Sequence, residues 1–177
     1  MELNIVNDAF RQYAIAELFG TIDNIYIILC NTEESLSTKR SSLPDTVDME
    51  VAIKASEILY LIKQSLLFEQ PSGSSEITLS GIPYYAISDI TGLEEYSWNS
   101  IYLKFESTGD NGEFDTNAIS IAINIKDVTG DPQSAAILSA SDLASSNFDD
   151  SVIIAQSSFP EIAYDTTDKT IETIIEF

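Results

Sequence analysis

The stretch Thr46-Val47-Asp48-Met49-Glu50-Val51-Ala52-Ile53-Lys54-Ala55-Ser56-Glu57-Ile58-Leu59-Tyr60-Leu61-Ile62-Lys63-Gln64-Ser65-Leu66-Leu67-Phe68-Glu69 decides how the fold is read. Val47, Val51, Ala55, Ile58, Leu59, Ile62 and Leu66 recur at the spacing of one helix face. Pro44-Asp45 stands at the start with Asp48 and Glu50 in the first turns, and Gln70-Pro71-Ser72-Gly73 stops the run. The pattern predicts a long helix over about 46–69. Ile53, Tyr60, Leu61, Leu67 and Phe68 fall off the stripe, so this helix is expected to be covered on more than one side, by its own sheet or by a neighbouring subunit.

Upstream, Leu3, Val6, Phe10, Tyr13 with Ala14, and Leu18 repeat at helical spacing and Gly20 follows, which predicts an amphipathic N-terminal helix over 3–19. Ile25-Tyr26-Ile27-Ile28-Leu29-Cys30 is β-branched, aromatic and too short for a helix, and reads as a buried strand. Residues 31–45 are polar and read as a loop, with Lys39-Arg40 an isolated basic spot that either docks on an acidic subunit or is simply solvated.

Downstream the period changes to two. Ile101, Leu103 and Phe105 alternate with Tyr102 and Lys104, and Ile119, Ile121, Ile123 and Ile125 alternate with polar or small residues. These segments read as the arms of an antiparallel hairpin, joined by a loop, 108–116, that is longer than a hairpin needs and is expected to project. Shorter strands are expected at 76–80, 84–88, 151–156 and 170–177, and Asp131-Pro132 suggests a short helix over 132–144. The fold class expected is α+β, with the long helix packed on a mainly antiparallel sheet. It is read as a single domain over 1–177, helix-rich in 1–70 and strand-rich in 71–177.

Of the 177 residues 44% are hydrophobic, enough for a real core, and the formal charge is −21 with no histidine. Residues 71–177 hold 18 of the acids and 3 of the bases. Such a surface disfavours nucleic acid, whose affinity comes from cationic side chains that displace counterions, and disfavours an anionic membrane. The first residues lack the basic region of a secretory signal, and the longest apolar run is far below the ~20 residues that span a bilayer. A virion or cytoplasmic location follows as the expectation.

Motifs that carry chemistry are sparse. Cys30 has no histidine beside it and reads as an inert buried thiol. Glu94-Glu95 and Asp149-Asp150 are adjacent carboxylate pairs beside aromatics, but neighbours on a strand face opposite ways, and they read as solvated loops. Asp110–Asp115 and Asp127–Asp131 place oxygen ligands around a glycine without EF-hand spacing, and read as polar turns. Neither a nucleophile elbow nor a phosphate-binding glycine loop occurs. No catalytic residue, cofactor or metal is assigned.

Contact surfaces remain. Trp98, Tyr102 and Lys104 form either a half-polar contact face or ordinary packing under the long helix, and Phe114 sits among acids in the 108–116 loop. Lys39, Arg40, Trp98, Tyr102 and Phe114 are therefore the candidate interaction residues. The expected function is a non-enzymatic subunit of a larger homo- or hetero-assembly, with a phage neck or tail protein as its specific form, since acidic walls do not hold DNA. The alternative is an acidic DNA mimic that inhibits a DNA-binding enzyme.

Overall fold

A computed structural model describes residues 24–33, 43–67, 69–88 and 100–176. The expected helix over 3–19, and Lys39, Arg40, Glu94, Glu95 and Trp98, lie outside them. Among the described residues nine strands and one short α-helix follow in order: β1 (Ile25–Cys30), β2 (Met49–Lys63), β3 (Ser75–Leu79), β4 (Ile82–Ile87), β5 (Ser100–Ser107), β6 (Phe114–Ile123), β7 (Ile137–Ser139), α1 (Ala140–Ser145), β8 (Val152–Tyr164) and β9 (Lys169–Glu176). The architecture is mainly antiparallel β, not α+β.

The long helix expected over 46–69 is the strand β2, flanked by 3-10 turns at Thr46–Asp48 and Gln64–Leu66. Val47 and Leu66, the two ends of the supposed apolar stripe, are 86% and 58% exposed. β2 buries adjacent residues on both faces, Val51-Ala52-Ile53 and then Tyr60-Leu61-Ile62, with exposed Ser56 and Glu57 between. A strand covered on both sides shows continuous apolar runs instead of alternation. Two such runs spaced along the chain also satisfy a helical template. The β-branched and aromatic residues Val51, Ile53, Ile58, Tyr60 and Ile62 are what a strand prefers.

The chain divides into two compact units, one from Glu57–Leu103 with Glu172–Phe177, the other from Asn24–Ser56 with Lys104–Ile171. In the second, β1 lies between the first half of β2 and β6, and β6 continues to β8. β1 is buried along its whole length. On one face Ile27 stands between Ile53 and Ile121, and on the other Tyr26 stands opposite Ala122 and Cys30 opposite Ala118. The alanines leave room for the Tyr26 ring, whose hydroxyl donates to the Ala135 carbonyl at 2.5 Å. Leu138 and Leu143 close this cluster.

Residues 132–144 do not form the helix expected of them. β7 takes Ile137–Ser139 against β2, and Ser139 then caps α1 by a reciprocal box with Asp142. The hairpin expected between 101–105 and 119–125 is corrected too. Both segments are strands, but β5 pairs with β2 and β9 while β6 pairs with β1 and β8. The 108–116 connection is long because the strands it joins are not partners.

In the first unit the end of β2 pairs with β4, and β4 with β3. β3 and β4 meet at a two-residue turn in which Ser80 and Gly81 have φ of 51° and 80°, the double positive φ of a type I′ hairpin. Leu61, Tyr84, Ala86 and Tyr102 form the core, with Leu59, Ile77, Leu79 and Ile174 against it.

Candidate contact sites

The second unit brings together two loops far apart in sequence, the β5–β6 connection and the β8–β9 turn. Asp168 Oδ1 accepts the Gly109 N–H at 2.7 Å. At Gly109 an added Cβ would lie 1.9 Å from the Thr166 carbonyl oxygen, so only glycine allows the two backbones to close. Ser107 Oγ accepts from the Tyr164 hydroxyl at 2.6 Å and from Asn111 Nδ2 at 2.8 Å. Phe114 stacks on Tyr164 with centroids 4.6 Å apart, and Lys169 Nζ lies 4.8 Å from the centroid of the same ring. Lys169 also pairs with Asp165, whose carboxyl is held well below the usual range by that ammonium and by Thr167. Thr108, Gly109, Gly112, Thr166 and Asp168 line an open cleft of about 650 Å³ between the loops.

The loop is therefore fastened to its neighbour, and Phe114, half-buried in β6, is an internal stacking residue opposite Tyr164. Glu113, Asp115 and Asp168 remain exposed at this end of the unit.

Gly109→Ala is expected to push the loops apart and to cost on the order of 1–3 kcal/mol, the usual penalty of forced overpacking. Exchange of the Gly109 amide should accelerate with it. Gly112→Ala meets open space but must hold a φ of 84°, so its cost is conformational and about 1–2 kcal/mol, with the Gly109 amide still protected. Urea titration with amide exchange separates the two. Equal protection of the Gly109 amide in both variants would contradict the docking.

Tyr102, in the first unit, is 6% exposed and belongs to the core, so it reads as packing rather than as an open aromatic face. Its hydroxyl donates to Glu172 Oε1 at 2.8 Å. Nothing in the sequence links these two residues, which stand 70 positions apart.

The other candidates are in ordinary surroundings. Cys30 is fully buried and burial, with the charges of Asp48 and Glu50, pushes its thiol up to about 12. Asp150 pairs with Lys126, and Asn147 Oδ1 accepts the Asp149 N–H, so that carboxylate pair sits in a turn. Asp127 Oδ1 accepts from the backbone and hydroxyl of Thr129 and from the Asp131 N–H, which closes an Asx turn. Among the described residues no three acidic or cysteine side chains converge as metal ligands. No helix among them is long and apolar enough to cross a membrane.

No protein-family model and no curated protein matches the chain.

Proposed function

We propose that the protein is a non-enzymatic structural subunit of a larger assembly, with the fastened loop pair at 108–113 and 165–168 as a contact end. The loop pair carries this reading. A six-residue connection that a glycine contact and a carboxylate hold in one shape, with an aromatic stack where it enters β6, loses little further freedom when it meets a partner. In its specific form the assembly is a virion, for instance the neck or tail of a phage. A net charge of −21 suits a surface past which DNA must move without being held.

Sedimentation velocity over a salt series tests the homo-oligomeric form. Like-charged copies repel, and the Debye length falls from about 30 Å at 0.01 M to about 10 Å at 0.1 M, so association should strengthen as salt rises. Whatever apolar surface the contact buries is not weakened by the added salt. A species that stays monomeric from 0.01 to 1 M salt at high concentration would remove self-assembly. Competition with DNA for a basic DNA-binding enzyme would instead favour the mimic.

A further inference from the structure

The first unit contains a cleft of about 320 Å³ between the β3–β4 turn and the end of β9, lined by Leu79, Ser80, Tyr102, Glu172, Thr173 and Ile174. Its volume is at the low end of small-ligand sites. Leu79 and Ile174 supply apolar walls, continuous with the core of the unit. Its polar lining is the Glu172 carboxylate with the Tyr102 hydroxyl bound to it, and Ser80; Thr173, next to Glu172 on β9, directs its side chain to the other face of the strand.

Glu172 is the group that decides what fits. Its neighbour on the same face of β9, Glu176, has a cation within the chain, Lys63 Nζ at 3.3 Å. Among the described residues Glu172 is held by the neutral Tyr102 hydroxyl, on Oε1, and that bond fixes the carboxylate at the cleft and leaves Oε2 as an acceptor. Lys63, Lys104, Lys126 and Lys169 each already have a carboxylate partner, so none of these four is left over to fill the position.

We infer that this cleft receives an arginine side chain of a protein partner. Arginine joins a flat fork of donors, which a carboxylate can accept, to an apolar stem that can lie along Leu79 and Ile174. Lysine would offer a point charge with no matching fork. The inference rests on the assembly reading and gives that partner a chemical character: it projects arginine toward an acidic subunit.

The test uses isotope-labelled full-length protein and acetyl-arginine-amide as the probe, followed by NMR. Saturable shifts are expected at the amides of Ser80, Thr173 and Ile174. Acetyl-citrulline-amide, isosteric but uncharged, should bind roughly tenfold or more weakly, because hydrogen bonds to an ionised partner are about twice as strong as neutral ones. Glu172→Gln keeps an acceptor for Tyr102 and should lose arginine binding to a similar extent, while Glu76→Gln, an exposed carboxylate on β3, should leave it unchanged. Shifts that spread over the acidic surface without saturating, citrulline binding as well as arginine, or equal losses in the two variants would each overturn the inference. Salt-dependent self-association of the unsubstituted protein distinguishes the failures. If the unsubstituted protein self-associates with salt yet binds no arginine, the cleft assignment falls and the assembly reading stands.

Discussion

Tyr26→Ala is expected to remove about 3–5 kcal/mol of stability, the range measured when a large buried aromatic is truncated. Tyr26 is 0% exposed, and Ala122 opposite it is too small to fill the vacated space. The same change deletes the hydroxyl that holds the Ala135 carbonyl, and with it the approach of the segment that leads into β7 and α1. Against a total of about 5–15 kcal/mol for an ordinary domain, that is between a fifth and the whole of the stability. Tyr26→Phe keeps the ring and gives up the hydrogen bond, so about 1 kcal/mol is expected. Urea midpoints of the two variants measure the difference. A Tyr26→Ala loss below 1 kcal/mol would mean that the face of β1 that carries Tyr26, Ile28 and Cys30 is not a core face.

Alkaline titration should destabilise both units between about pH 9 and 12. Burial raises the Tyr26 and Tyr60 phenols from 10.0 to about 12, and burial with nearby acids raises the Cys30 thiol from 9.0 to about 12. Each group is neutral when protonated, and its folded value lies above its unfolded one. The folded state therefore holds these protons more tightly. The stability linked to them is complete below pH 9 and is lost as the pH climbs toward 12. At about 1.4 kcal/mol for each tenfold change in proton affinity, the three together withdraw several kcal/mol. Urea midpoints at pH 8, 10 and 11.5 should fall steeply, and replacing Tyr26 and Tyr60 together by Phe should flatten the fall above pH 10. A phenolate absorbance near pH 10 in the folded protein that disappears when Tyr26 and Tyr60 are replaced by Phe would contradict it.

Legibility in the sequence followed burial geometry. β5 and β6 were readable because Ile101, Leu103 and Phe105, and the isoleucines from 119 to 125, alternate with different neighbours. β1 was readable because a six-residue apolar run is too short for anything but a strand. β2 was misread because both of its faces are covered at Val51–Ile53 and again at Tyr60–Ile62, which erases the period of two. The surplus of apolar residues off the supposed helical stripe was the available warning. Pairing was not readable at all: nothing local says that β5 joins β9 instead of β6. The same limit hid both sites. Gly109 with Asp168, and Tyr102 with Glu172, are contacts over 59 and 70 residues, and only the strand topology creates them.

The interleaved division of the chain also constrains its synthesis. Glu172–Glu176, which complete the first unit, are translated only after the whole of Lys104–Ile171, which belongs to the second. At about 5–20 residues per second, a nascent chain therefore spends several seconds with Leu61, Tyr84, Ala86 and Tyr102 made but not yet covered by Ile174. A ribosome stalled before Glu172 would display that apolar surface, and arrested chains of this protein should be captured by chaperones that ignore the released one.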